Sequence, residues 1–341
     1  MEFNYNRILE FAEKVLSIPS PSGYTNNVVS FLLDECKKRD LNAYKAKNGN
    51  LIIEIAGEKD YTIGLAAHAD TLGAMVKYIN GDGTLKFSKI GGPILPTYDG
   101  EYCYVITRDG KTYTGTFLSN SPAIHVYKDS TTIPRNEETM HIRLDEEVNS
   151  KEDVKKLGIN NGDIIALDPK TVITESGFIK SRFLDDKVSV GVLFAVIDYL
   201  KENNITPKYN LKFIITVNEE EGFGASCIPY VDELLAVDMG CVGKDLDGSE
   251  YKVSICAKDS GCPYNYDMTN RLIELSKKHN LDYAVDVFSY YSSDVLTALK
   301  GGHEIRGGLI GSGVAASHGM ERTHLKGLIN TFKLVVAYIT E

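Results

Sequence analysis

Two apolar runs, 61–67 and 209–217, each end abruptly in imidazole or acidic side chains: His68-Ala69-Asp70 after the first, Asn218-Glu219-Glu220-Glu221 after the second. Runs of this length read as buried strands, and the second carries Leu211, Phe213, Ile214, Ile215 and Val217. In an open α/β sheet, ligands bind beyond the carboxyl ends of the strands, which is where these polar residues fall. A carboxylate or imidazole there costs desolvation unless a cation or a hydrogen-bond partner compensates it.

The surrounding pattern fits such a sheet. The opening MEFNYNRILEFAEKVLSI puts Ile8, Phe11, Ala12 and Val15 on one face of an amphipathic helix with acidic residues inside it, which is neither a signal peptide nor a spanning segment. Residues 26–37 place Val28, Phe31 and Leu32 at helical spacing, and LIIEIA (51–56) and TIGLAAH (62–68) read as strands. From about 173 onward the alternation resumes. An apolar helix at 188–200 precedes the strand at 209–217, then AVDMG (236–240), VSICA (253–257), a helix near 270–280, DYAVDVF (282–288) and a last helix at 325–340. Strands alternating with helices predict an α/β fold with a mostly parallel sheet covered on both faces.

Residues 75–172 have a different texture. Short strand-like runs (MVKYI, YCYVI, TYTGTF, AIHVY, MHIRL, DIIAL) are punctuated by Asn80-Gly81-Asp82-Gly83, Asp109-Gly110 and Asn160-Asn161-Gly162, which is hairpin chemistry. The chain is therefore expected to be one domain, 1–74 with 173–341, interrupted by a small inserted β-barrel or sandwich at 75–172. The net charge of −10 argues against a nucleic-acid surface and for a cytoplasmic protein, and no stretch of eighteen apolar residues suggests a membrane span. Cys36, Cys103, Cys227, Cys241, Cys256 and Cys262 form no CxxC pair and read as reduced packing thiols.

Three more segments join the first two. Asp185-Asp186 stands just before the apolar helix and alone would read as helix capping. Asp238 tips a short apolar run, and Ser317-His318-Gly319-Met320-Glu321 lies in a Gly/Ala-rich loop before the last helix. Singly each has a bland explanation: a solvated loop, a cap, a hydrogen-bonded surface histidine. As a set, His68, Asp185, Glu220, Asp238 and His318 all fall at predicted strand ends or strand-to-helix loops. Two imidazoles and three carboxylates suit a pair of zinc, cobalt or manganese ions with one carboxylate bridging. Two metals about 3.5–4 Å apart lower the pKa of a water between them and stabilise a developing oxyanion.

The order HADTLGAMV, GG at 91–92, FLDDKVSVGVL, TVNEEEGFGA, VD, YSSDVLTAL and a late SH…E resembles the M42 family of metallo-aminopeptidases, the group containing glutamyl aminopeptidase and the tetrahedral aminopeptidases. The likeness runs over nearly the whole chain, including Ile18-Pro19-Ser20-Pro21-Ser22-Gly23. It implies a zinc-exopeptidase-type catalytic domain, a β-rich dimerisation insert, two divalent metals and often a hollow dodecamer. Position by position, it implies that His68 and Asp238 hold one metal, Glu220 and His318 the other, and that Asp185 bridges them. Glu219 would be the general base, and Asp70 would orient His68.

The sequence departs from the family pattern in places. The family's RYIHSP segment reads Ala316-Ser317-His318-Gly319 here, with His324 six residues on; His318 is preferred because it keeps the preceding loop and precedes the last helix. Ser292-Ser293-Asp294-Val295 stands for the family's GTDA loop, which makes Asp294 a site neighbour without an assigned role. Glu221 replaces a small apolar residue, either solvated or adding negative charge near a substrate amine. The implied activity is removal of N-terminal residues from short peptides by a homo-oligomer, a dimer or a dodecamer of dimers, with no nucleic-acid or membrane partner. Rival readings are a metal-dependent deacylase of small amino-acid conjugates, a glycoside hydrolase and a non-catalytic shell protein. The glycosidase would need an aromatic platform, poorly supplied by 20 Tyr and no Trp, and the shell protein would be expected to lack a ligand or Glu219.

Overall fold

A computed structural model of the protein describes residues 2–341. From the N-terminus the chain forms α1 (Asn6–Leu16), α2 (Asn26–Lys38), β1 (Asn42–Lys45), β2 (Leu51–Ile55) and β3 (Lys59–His68). There follow β4 (Gly73–Ile79), β5 (Leu85–Ile90), β6 (Tyr102–Ile106), β7 (Thr112–Ser119), β8 (Met140–Leu144), α3 (Lys151–Leu157) and β9 (Ile164–Leu167). The chain continues through β10 (Val172–Ile173), β11 (Phe178–Ser181), α4 (Leu184–Glu202), β12 (Tyr209–Thr216), β13 (Glu233–Cys241) and β14 (Val253–Lys258). It ends with α5 (Tyr266–Lys278), β15 (Tyr283–Val287), α6 (Asp294–Lys300), β16 (Arg306–Val314), β17 (Glu321–His324) and α7 (Leu325–Thr340). Two compact units result: residues up to Asp70 with Lys170–Glu341, and Thr71–Pro169, against the expected insert boundaries of 75 and 172.

The first unit is built on an eight-stranded sheet in the order β1-β2-β12-β3-β13-β16-β14-β15. Its four central strands, β12, β3, β13 and β16, run parallel. The margins do not. β2 is antiparallel to both β1 and β12, and β14 is antiparallel to β16, so the sheet is mixed and parallel chiefly at its centre. Helix α4 is apolar around almost its whole circumference and correspondingly buried, from Val188 through Ile197. It packs on β3 and β13, while α1 stacks Phe11 on Phe194 of α4 at 4.5 Å. On the opposite face Val295 and Ala298 of α6, with Ile228 and Val231, close over Ala66, Ile214, Ala236 and Leu309. A small sheet, β10-β11-β17, completes the unit. Among the described residues no helix is long and apolar enough to cross a membrane.

The Gly-rich stretch ahead of His318, read in sequence as loop, is the central strand β16. Glycine serves close strand approach there: a Cβ on Gly311 would lie 1.9 Å from the Asp238 carbonyl oxygen, and one on Gly313 would lie 2.1 Å from the Ser249 carbonyl oxygen. The sheet tolerates no side chain at either position.

The second unit is a closed six-stranded barrel, β4-β5-β8-β7-β6-β9, filled by Phe87 and Phe117 packed edge to face at 5.1 Å, with Tyr98, Val105, Ile142 and Ile165 around them. One expected strand is missing. The AIHVY run at 123–127 is a turn that leaves Ile124 67% and Val126 72% exposed, so its apolar alternation has no sheet to join.

Candidate metal centre

All the singled-out side chains belong to the first unit. His68 ends β3, beside Thr216 at the end of β12, and Glu219–Glu221 form a single 3-10 turn directly after that strand. Asp238 lies on β13, Asp185 at the start of α4, and His318 in the turn between β16 and β17. His68 Nε2 is 3.1 Å from Asp185 Oδ1 and 3.8 Å from Glu219 Oε2. His318 Nε2 is 3.6 Å from Asp185 Oδ2 and 3.5 Å from Glu220 Oε2. Asp185 thus turns one oxygen toward each imidazole. Ligand atoms of His68, Asp185 and Glu220 lie within 4.8 Å of one another, and so do those of His68, Asp186 and Asp238.

Asp185 and Asp186 are not ordinary helix caps. Neither has helical backbone angles, the peptide bond between them is cis, and α4 receives no side-chain cap hydrogen bond. Asp186 Oδ2 instead accepts the main-chain N–H of His68 at 3.1 Å, while its buried Oδ1 has no hydrogen-bond partner.

Asp70 acts on two neighbours through different atoms. Its carbonyl oxygen lies 3.1 Å from His68 Nδ1, which donates to it, while Nε2 faces Asp185. Its carboxylate accepts the Ser22 hydroxyl at 2.5 Å and the main-chain N–H groups of Glu219 at 3.1 Å and Glu220 at 3.3 Å. Asp70 therefore fixes the glutamate turn as well as the histidine. Asp294 holds the next stretch, accepting Thr216 Oγ1 at 2.5 Å and the N–H of Ala225 at 2.7 Å. Glu221 is exposed. His324 stands elsewhere, capping α7 through Lys326 N–H at 3.0 Å and contacting the Ser176 carbonyl. Sequence reasoning gave no role to Asp186, Ser22, Ser317 or Glu321, all of which contact the group; Ser317 Oγ lies 3.1 Å from Asp185 Oδ2. Asp186 and Glu321 bond main-chain N–H groups, and Ser22 and Ser317 bond carboxylates distant in sequence, so none leaves a periodic signal.

Burial dominates the electrostatics. It pushes Glu219 and Glu220 well above the usual carboxylate range and Asp238 up to about 8, with neighbouring carboxylates adding in the same direction. Burial alone would raise Asp185 too, but its hydrogen bond with His68 and the charges of both imidazoles hold it low. Burial would lower His68, yet Asp185, Glu219 and Asp238 together raise it well above its ordinary value. Two imidazoles against this many buried carboxylates leave negative charge that divalent cations would offset. The mixed nitrogen and oxygen donors suit zinc, cobalt or manganese, so the residues present fit a metal centre.

The sequence profile described as M42 glutamyl aminopeptidase matches residues 49–334. The chain is 44% identical over 336 residues to YhfE of Bacillus subtilis (strain 168), a protein with a provisional aminopeptidase name, covering 98% of this chain and 97% of that one. The aminopeptidase APDkam598 from the archaeon Desulfurococcus kamchatkensis superposes with a TM-score of 0.87 at 26% identity, covering 99% of this chain and 95% of its own. The TET1 peptidase of Pyrococcus horikoshii, which can assemble into a tetrahedron or a large octahedral shell, shares the fold with a TM-score of 0.86 at 23% identity, covering 98% and 99%.

Proposed function

The chain belongs to the M42 glutamyl aminopeptidase family and is a peptide-bond hydrolase of the aminopeptidase class, and from that premise we propose that it trims N-terminal residues from short peptides with two divalent ions and Glu219 as general base. The observation that carries this reading is the placing of Asp185 between two imidazoles, 3.1 Å from His68 Nε2 and 3.6 Å from His318 Nε2. His68 and Asp238 would hold one ion and Glu220 and His318 the other, with Asp185 shared between them; zinc or cobalt would suit these donors best, and manganese would fit them too. When bound, the ions lower the pKa of a water between them and offset charge growing on the scissile carbonyl oxygen.

The chain's own groups do the rest. Glu219, its main chain held by Asp70, takes the proton of the attacking water and passes it to the leaving amine. Burial raises its proton affinity, which suits a group that must hold that proton between the two transfers. Surplus negative charge near the centre, with Glu221 on the same turn, favours the α-ammonium group of a free N-terminus over a blocked, neutral one. That preference separates an aminopeptidase from a deacylase. The six free cysteines and the acidic balance support a reducing cytoplasm as its compartment.

The test is a side-by-side assay of wild-type and Glu219→Gln protein on aminoacyl-p-nitroanilides and their N-acetylated analogues. Wild-type protein should cleave the free-amine substrates and leave the acetylated ones. Glu219→Gln should keep both ions while kcat falls by roughly two orders of magnitude or more, the scale of a positioned general base. Preference for acetylated substrates would support the deacylase instead. If Glu219→Gln loses metal while Glu220→Gln retains it, the two glutamates have exchanged roles.

A further inference from the structure

Glu321 has no part in the chemistry above, yet it is only 2% exposed and lies against the centre. Its Oε2 accepts the main-chain N–H of Asp185 at 3.0 Å, and its Oε1 accepts that of His318 at 2.9 Å. Both donors stand on irregular backbone. Asp185 has φ −75° and ψ 100° where α4 has not yet become helical, and His318 has φ +64°, in the left-handed region that a residue with a Cβ enters at a cost. Glu321 itself is fixed, because it opens β17 opposite Ser181 of β11, and Arg322 bridges back to Ala315 at the end of β16. Two N–H donors aimed at two oxygens require an acceptor at both, which an ionised carboxylate provides. A carboxamide of the same shape provides one and turns an NH2 against the other donor.

We propose that Glu321 is a positioning residue that ties His318 to Asp185 and thereby sets the affinity for the second ion, the one assigned to Glu220 and His318. The inference rests on the two-metal reading above. Its asymmetry follows from the anchoring: of the first ion's ligands only the shared Asp185 touches Glu321, while His68 is held by the Asp70 carbonyl and Asp238 Oδ1 by the Met239 N–H at 2.7 Å. His318 carries a side chain one-third exposed, and the left-handed turn beneath it is held by Glu321.

The experiment is a cobalt titration of metal-free wild-type, Glu321→Gln and Glu321→Ala proteins, following visible absorption and bound cobalt per chain. Both variants should take up the first ion as wild type does and bind the second roughly 10–100-fold more weakly, the usual cost of losing a group that orients a metal ligand. Their spectra should therefore develop in two separated phases. Glu321→Gln, being nearly isosteric, decides the matter should Glu321→Ala fail to fold. A Glu321→Gln protein that binds both ions with wild-type affinities, or weakens both alike, overturns the inference and leaves the two-metal reading standing. Wild-type protein that takes up a single ion removes that reading and the inference with it.

Discussion

Folding takes Asp238, Glu219 and Glu220 out of water and sets them against other carboxylates, so each binds a proton more tightly in the folded chain than in the unfolded one. Without metal, the unfolded chain gives up these protons first as pH rises, and stability falls from about pH 4, the ordinary carboxylate range, to about 8 for Asp238. His68, raised well above its ordinary value, acts in the same direction: its contribution is present below about 6.5 and is lost at higher pH. Asp185, held low, opposes them, contributing above about 4 and losing its effect on acidification, and Lys187, which burial lowers to about 7, opposes them above that pH, but these are two groups against several. The expected result is that chelator-treated protein melts at a lower temperature at pH 8 than at pH 5.5, and that added zinc or cobalt raises the melting temperature most at pH 8. A metal-free melting temperature that climbs across that interval would contradict the electrostatic account. Residues of this kind were legible in the sequence because each ends or interrupts an apolar run. Glu321 and the carboxylate of Asp70 were not, since they act on main-chain N–H groups that only the folded turns bring within reach.

At the scale of elements, the centre depends on how closely β13 and β16 approach. Asp238 and Gly311 are register partners, and a Cβ on Gly311 would meet Asp238 main-chain atoms at 1.9 Å and 2.5 Å, which cannot swing aside as a side chain can. Gly311→Ala should therefore destabilise the fold by about 1–3 kcal/mol or more, the range for overpacking, and displace Asp238 with loss of bound metal. Gly81→Ala, where a Cβ meets nothing within 4 Å, should leave denaturation and metal content close to wild type. Chemical denaturation with metal analysis on both variants decides it; a wild-type midpoint for Gly311→Ala would show that the strands separate at little cost. The same strand marks where sequence reasoning stopped. Helices α1, α4 and α7 announce themselves by apolar spacing, but RGGLIGSGV lacks the β-branched alternation of a strand, because its glycines answer to backbone on neighbouring strands. AIHVY at 123–127 errs the other way: its pattern suits a strand, and the closed barrel has no place for one.

At the scale of the molecule, the closed barrel of residues 71–169 leaves no free strand edge among β4–β9, so a second copy has to meet it through side chains rather than by extending a sheet. It offers apolar ones in Ile94, Tyr102, Ile124 and Val126, all more than two-fifths exposed, a cost in water that an interface would remove. A dimer formed largely through this insert is therefore expected, and the family resemblance implies a dodecamer of such dimers as a closed form that would admit only short, unfolded peptides to the site. Light scattering over a range of concentrations should give masses at multiples of the 37.7 kDa chain. Ile124→Asp with Val126→Asp should shift the distribution toward the monomer without unfolding it, because both side chains are already in water in the single chain. A persistent 37.7 kDa species in the wild type would refute the assembly. Brisk cleavage of a folded protein substrate would refute the closed chamber while leaving the dimer intact.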